Sequence, residues 1–282
     1  MPLLIGQRIN GEGSRRAKRL LLAEDYDGIV SMAGEQLQAG ADVIDVCVAI
    51  RDVTGEAERM AAVVRRLTAV LDVSLMIDSA DPQVIARGLE ERSSRHSIVN
   101  SVSLRDGTSG VEEVARLAQH HGAAIVGLCI DETGMARTTA HKVDVARRLF
   151  DLVVRGIGIE PASLYLDPLV FALPSRDASW AASAIDTLSA LVAIKQECPG
   201  AQTVAGISDV SFGLPSRARA ILNATFLHHC TAAGLDAAIV DPAETTAYGQ
   251  LPPTVRDRAD AVLFNRAPDA LAQFAESFEP GS

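Results

Sequence analysis

The chain is poor in aromatic side chains: one Trp, three Tyr and seven Phe make up 4% of its 282 residues. Its core must therefore be filled by Ala, Val, Leu and Ile, the composition of parallel strands covered on both faces by helices. It also lacks excess positive charge, with 26 Lys and Arg against 36 Asp and Glu and a formal net charge of −10. No basic stripe is available to neutralise phosphates, which excludes nucleic acid and an anionic membrane surface as expected partners. Cysteine is scarce. Cys47, Cys129, Cys198 and Cys230 lie far apart with no CxxC pair, and they read as buried thiols rather than a disulfide framework. No His-x-His or HExxH spacing occurs, so no zinc site is expected. No apolar run reaches the length of a membrane span. The opening Pro2-Leu3-Leu4-Ile5-Gly6 turns polar and basic at once, unlike a signal peptide, and the expected compartment is the cytoplasm.

What the sequence does contain is a rhythm of short apolar runs, each followed by a longer stretch with helical spacing. The runs are Leu3 to Gly6, Val43 to Val46, Ser74 to Asp78, Ile98 to Ser101, Ala123 to Ile130, Leu164 to Asp167, Thr203 to Ile207 and Ala237 to Asp241. Helical periodicity covers Ile29 to Gly40, Ala57 to Val70, Gln83 to Arg92, Val111 to His121 and Lys142 to Val154. Gly40, Gly122 and Gly234 stand where helix C-caps are needed. Eight β-then-α units in a chain of this size predict an α/β fold, a single (β/α)8 TIM barrel domain over residues 1–282. A doubly wound sheet would want a Gly-rich turn after the first strand, and the glycines at 6, 11 and 13 have the wrong spacing for it.

Most of these runs end in, or are closely followed by, Asp or Asn: Asn10, Asp45, Asp78, Asn100, Asp131, Asp167, Asp209 and Asp241. A single Asp after a strand is ordinarily a helix N-cap or a turn former. Eight at equivalent places in a barrel converge on one mouth, where barrel enzymes keep their chemistry. A ring of carboxylates and amides suits a ligand rich in N–H donors. A pterin is such a ligand: its 2-amino group and ring N–H form a planar edge that a carboxylate bridges bidentately, and Asn matches the neighbouring carbonyl. Several Asp could alternatively hold Mg²⁺ or Mn²⁺, but no bound metal is expected.

Six segments resemble, in order and at strand ends, the methyltetrahydrofolate:corrinoid methyltransferases. They are Leu4-Ile5-Gly6-Gln7-Arg8-Ile9-Asn10-Gly11, Met76-Ile77-Asp78-Ser79, Val99-Asn100-Ser101, Tyr165-Leu166-Asp167-Pro168-Leu169, Gly206-Ile207-Ser208-Asp209-Val210-Ser211 and Gly234 to Ile239. That family includes the corrinoid/iron–sulfur-protein methyltransferase and the folate module of cobalamin-dependent methionine synthase. The resemblance implies a pterin-binding barrel, a homodimer, tetrahydrofolate or methyltetrahydrofolate as substrate, and cobalamin carried by a partner corrinoid protein. It implies that Asp78, Asn100 and Asp167 hold the pterin ring, with Asn10 and Asp45 in the same ring of contacts. It also implies catalytic roles for Asp78 and Asp209.

This chain has Asp209 where the family carries an Asn near N5 of the folate, the atom that the methyl group leaves. N5 is a poor leaving group unless protonated. An Asp can stabilise the protonated amine as an anion, or donate the proton itself if burial raises its pKa. For the anionic folate tail, Arg217 matches a family arginine; Arg15, Arg16 and Lys18 are alternatives on a helix face, and Asn223 is a further polar candidate. The remaining alternatives are a dihydropteroate-synthase-like enzyme and a non-catalytic folate binder. The first would want an Asn-Val-Thr-Pro-Asp-Ser-Phe-Ser stretch where this chain reads Asn10-Gly11-Glu12-Gly13-Ser14-Arg15-Arg16.

Overall fold

A computed structural model describes residues 1–91, 97–174, 180, 182–244 and 247–278. Eight parallel strands form a closed barrel: β1 (Leu3–Asn10), β2 (Val43–Cys47), β3 (Ser74–Asp78), β4 (Ser97–Val102), β5 (Ala124–Leu128), β6 (Leu164–Asp167), β7 (Gln202–Gly206) and β8 (Ala237–Val240). Closure is made where β1 pairs with β8, from Leu3 opposite Ala237 to Gly6 opposite Val240. The predicted (β/α)8 barrel is the observed fold.

The strands are near-continuous Val, Ile, Leu and Ala because both faces are covered. Inside the barrel, Ile5, Val43, Met76, Ile98, Val126, Val204 and Ala237 meet in one buried cluster, one from each strand but β6, whose Tyr165 packs beside them. The opposite faces pack on the surrounding helices. Burying each such aliphatic side chain stabilises by roughly 1.5–3 kcal/mol.

The helices are α1 (Arg15–Leu22), α2 (Tyr26–Gln38), α3 (Glu56–Val70), α4 (Pro82–Glu90), α5 (Thr108–His120), α6 (Thr139–Phe150), α7 (Ser183–Glu197), α8 (Ser216–Ala232), α9 (Pro253–Leu263) and α10 (Ala270–Glu276). Their starts follow local chemistry. Ser14, Asp25, Asp81 and Thr138 each accept a hydrogen bond from a first-turn N–H. Their ends follow it too: Gly40, Gly122 and Gly234 all take the positive φ that a C-cap requires.

Two segments depart from the expected boundaries. The fifth run leaves the barrel after Leu128, and Ile130–Asp131 pairs antiparallel with Gly134–Met135 in a small hairpin above the mouth. The helix expected over Lys142 to Val154 is α6 followed by a wider π-helical turn, Asp151–Ile157. The predicted helix end at Arg92 lies outside the described residues. Among the described residues no helix is long and apolar enough to cross a membrane.

Candidate active site

Four carboxylates reach the mouth from the C-terminal ends of the strands. Asp45 comes from β2, Asp78 ends β3, Asp167 ends β6, and Asp209 sits on a short 3-10 turn, Ile207–Ser211, that follows β7. Asp78 lies beside Asn100 in the β3–β4 register, and Asp167 beside Leu128 in that of β5–β6.

Burial decides their electrostatics. It pushes the Asp45 carboxyl well above the ordinary range, and the charge of Asp78 pushes it further; a hydrogen bond with Asn100 opposes both. Oδ1 of Asp45 is buried with no hydrogen-bond partner among the described residues. Asp78 is raised to about 6 by burial and by Glu56, against a hydrogen bond from the Cys47 thiol. Burial, and then the charge of Asp78, pushes the Cys47 thiol up, so it stays a neutral donor. Asp167 is raised to about 7 by burial and by Asp209, while the Leu169 N–H (2.7 Å) and the Lys142 charge hold it down. Asp209 is exposed at the rim of the mouth, yet desolvation of its carboxyl raises it to about 6, opposed by Arg219.

The Asp209 carboxylate folds back over the end of β7. A Cβ on Gly206 would stand 2.5 Å from Asp209 Oδ2, so any other residue there would force the Asp209 carboxylate to move. The turn is braced from both sides. Gln7 Nε2 donates to Ser208 Oγ (2.8 Å), and Ser211 Oγ donates to Asn223 Oδ1 (2.7 Å) while accepting from Arg219 Nε (3.4 Å). Beside it lies a cavity of about 180 Å³ lined by Gln7, Ser208, Arg219, Asn223, Asp241 and Glu244 among others.

The structure thus brings together Asp45, Asp78 and Asn100 on one side of the mouth, and Asp167 and Asp209 on the other. Asn10 sits at the end of β1, where its Oδ1 accepts from the N–H groups of Glu12 (3.0 Å) and Gly13 (2.6 Å), so that oxygen shapes the loop. Arg217 is exposed at the start of α8. Two residues further on, Arg219 is the arginine that enters the cavity and acts on Asp209. Arg15 and Lys18 are exposed, and Arg16 is paired with Glu35 (2.6 and 2.7 Å).

Two strand-end carboxylates are occupied elsewhere. Asp241 pairs with Arg8 across the β8–β1 seam. Asp131 belongs to the hairpin, where it accepts from Thr133 Oγ1 (2.7 Å), His141 (3.0 Å) and Arg148 (3.1 Å). Burial pushes it up, but these bonds outweigh that and hold it below the usual carboxylate range. Among the described residues, no group of three or more His, Cys, Asp or Glu side chains is arranged to hold a metal ion.

Lys142, Arg219 and Cys47 were missed as site residues by sequence reasoning. Arg219 could have been found from helical spacing, since it shares the inward face of α8 with Asn223. Cys129, Cys198 and Cys230 are buried free thiols, as expected.

Comparison with known proteins bears on the family and the barrel. The sequence profile of the family described as "Pterin binding enzyme" matches residues 6–241. Methionine synthase of Mycobacterium leprae is 36% identical over 267 residues, which cover 94% of this chain and 22% of that protein. The Mycobacterium tuberculosis methionine synthase is 35% identical over 283 residues, 98% of this chain and 24% of that one. The chain thus spans about a quarter of the length of these curated relatives. Among solved structures, a Yersinia pestis DHPS bound to a pterine-sulfa conjugate superposes with a TM-score of 0.62 at 18% identity, covering 86% of this chain and 88% of that one. Dihydropteroate synthase from Xanthomonas albilineans with 7,8-dihydropteroate gives 0.60 at 15% identity, covering 99% and 95%. These structural likenesses establish the barrel. The sequence match goes further, and with it the chain belongs to the family of pterin binding enzymes.

Proposed function

We propose that this chain is a methyltransferase that moves a methyl group between N5 of methyltetrahydrofolate and the cobalt of a corrinoid carried by a partner protein. The observation that carries the reading is the set of four carboxylates at strand ends in a pterin-binding barrel: Asp45 and Asp167 are buried, Asp78 is half-buried, and Asp209 stands at the rim, raised to about 6 and faced by an arginine. The likeness to methionine synthase supports methyl chemistry.

In this reading Asp78, Asn100 and Asp167 take the polar edges of the pterin ring, and Asp45 supports them through Asn100. Arg219, rather than the exposed Arg217, meets the anionic part of the folate that reaches the cavity beside the 3-10 turn. Transfer is a direct displacement. The bond from N5 to the methyl carbon breaks, its electron pair stays on N5, and the methyl carbon accepts an electron pair from reduced cobalt. A proton on N5 makes the departing group a neutral amine. Asp209 holds or supplies that proton, and with a pKa of about 6 it exchanges it near neutral pH. The barrel positions the two reactants and excludes water.

The loops around the mouth fit an apolar face on the partner. Phe212, Met135 and Val53, on the loops after β7, β5 and β2, are 69%, 53% and 38% exposed. Such side chains at a polar mouth suit contact with a large macrocycle.

The test is methylcobalamin formation from methyltetrahydrofolate and chemically reduced cob(I)alamin, followed by absorbance, with the reverse reaction alongside. Turnover that Asp78→Ala abolishes is expected. Asp209→Asn should flatten the pH dependence and change the ratio of the two directions. Tetrahydrofolate binding with no methyl exchange, even with a corrinoid protein present, would leave a folate binder and end the methyltransferase reading.

A further inference from the structure

The chain has three lysines, Lys18, Lys142 and Lys195, and Lys142 is wholly buried at 0% exposure. Burying an ammonium is costly unless its N–H groups and charge are compensated. The compensation lies directly below the mouth. Lys142 Nζ, from α6, donates to the carbonyl of Pro168 and to that of Leu169 (2.9 Å), and the Phe171 ring covers it with its centroid 4.7 Å away. These carbonyls belong to the turn that immediately follows Asp167.

That turn is not one its own sequence favours. Leu169 has φ of +65°, the left-handed region that a residue with a branched side chain rarely enters. One local and two tertiary hydrogen bonds keep it there. Its N–H donates to Asp167 Oδ1 (2.7 Å), and its carbonyl accepts from Lys142 and from Thr187 Oγ1 of α7 (2.9 Å). The first fixes one carboxylate oxygen of Asp167 and leaves the other for a ligand.

We propose that Lys142 is a positioning residue for pterin binding: from beneath the mouth it holds the turn that aims Asp167, and it supplies the counter-charge that lets Asp167 meet the ligand as an anion. The proposal rests on the pterin-binding reading above and deepens it. Asp167 is faced by Asp209, which pushes its proton on, and by Lys142 and the Leu169 N–H, which push it off. Lys142 is faced by Asp167, by the Cys129 thiol at the end of β5, and by Asp186 of α7. Asp186 already accepts from Thr139 N (2.9 Å) and Oγ1 (2.7 Å). Burial lowers the Lys142 ammonium to about 8, against these three groups. Both partners thus titrate close to neutrality, and each depends on the other.

Lys142→Met keeps the stem and removes the charge, so Asp167 should hold its proton to higher pH. Tetrahydrofolate binding to the full chain, measured by calorimetry from pH 5.5 to 9, should weaken about fivefold at pH 7, and its acid limb should move up by about one pH unit. Thr187→Val removes the other donor to Leu169 but no charge, and should leave the limb in place. An acid limb unmoved in folded Lys142→Met, or moved equally by Thr187→Val, overturns the inference. If Lys142→Met does not fold, ¹³C-lysine NMR of the wild type and of Asp167→Asn decides it. One of the three lysines should titrate near 8 and fall further in Asp167→Asn; a midpoint that does not move is the contrary result. A wild-type chain that binds no tetrahydrofolate sinks the functional reading instead, whereas normal wild-type binding with an unmoved limb sinks this inference alone.

Discussion

The two sides of the barrel mouth hold their carboxylates in opposite ways. On the side of β2 and β3, Asp45 and Asp78 repel one another, with only Asn100 and the Cys47 thiol to oppose burial. Among the described residues, neither forms an ion pair with a Lys or Arg. On the side of β6 and β7, neither carboxylate is ion-paired among the described residues either, but each feels the charge of a cation: Asp167 that of Lys142 and Asp209 that of Arg219. In the proposed reading a ligand edge rich in N–H donors completes the first side, where the protein offers these carboxylates only Asn100 and the Cys47 thiol as partners and leaves Asp45 Oδ1 with none among the described residues. The second side has a cation acting on each carboxylate with or without a ligand, which suits a place where a proton must be moved rather than merely received.

The largest effect expected of this contrast is at Asp78. Two charge-assisted hydrogen bonds to a pterin edge are each worth about 1.5–3 kcal/mol, so Asp78→Ala should weaken tetrahydrofolate binding by at least ~100-fold in calorimetry. A loss of under about threefold would show that the uncompensated side does not receive the ligand. Next comes Arg219→Met. Without the arginine, Asp209 rises above about 6, so methyl transfer from methyltetrahydrofolate, which needs the proton, should fall off at a higher pH than in the wild type. The expected change is about tenfold in rate on the alkaline side, read from a pH–rate profile. An unshifted profile would separate Asp209 from the proton.

Stability should distinguish the two sides as well. The folded-state pKa of Asp45 lies above its unfolded value, so the protonated carboxyl stabilises at acid pH and this contribution is lost as pH rises. Asp45→Asn should therefore raise the melting temperature at pH 8 by a few degrees, on the order of 1–2 kcal/mol, with little change at pH 4. Asp167→Asn, which strips Lys142 of its anion, should show no such gain. Equal gains in both variants would erase the contrast. The smallest effect belongs to Arg217. Exposed and outside the lining of the cavity, it should cost less than about twofold in folate affinity as Arg217→Ala, and less still at high salt.

Much of this was legible in the sequence, because the physics that builds a barrel strand is local. A run such as Ser74 to Asp78 or Leu164 to Asp167 shows its length, its double-sided burial and its polar end together, and both strands have those bounds. What a polar end is used for is not local. Asp131, Asp167 and Asp241 read alike as strand-end carboxylates. Only the fold shows that His141 and Arg148 tie down the first, that Arg8, more than two hundred residues away, ties down the third, and that Asp167 remains at the mouth. Lys142 was hidden for the same reason: on a helix of alternating charges, a lysine looks like solvent-facing surface until the turn after β6 is packed on it.

The close approach of Asp209 to Gly206 bears on any attempt to redesign the pocket. Position 206 invites enlargement because it lines the strand end and carries no side chain. Yet even a methyl group there would collide with the Asp209 carboxylate. Libraries that vary position 206 to alter substrate range would therefore change the acidity and reach of residue 209 first, and would select for proton chemistry under the guise of specificity.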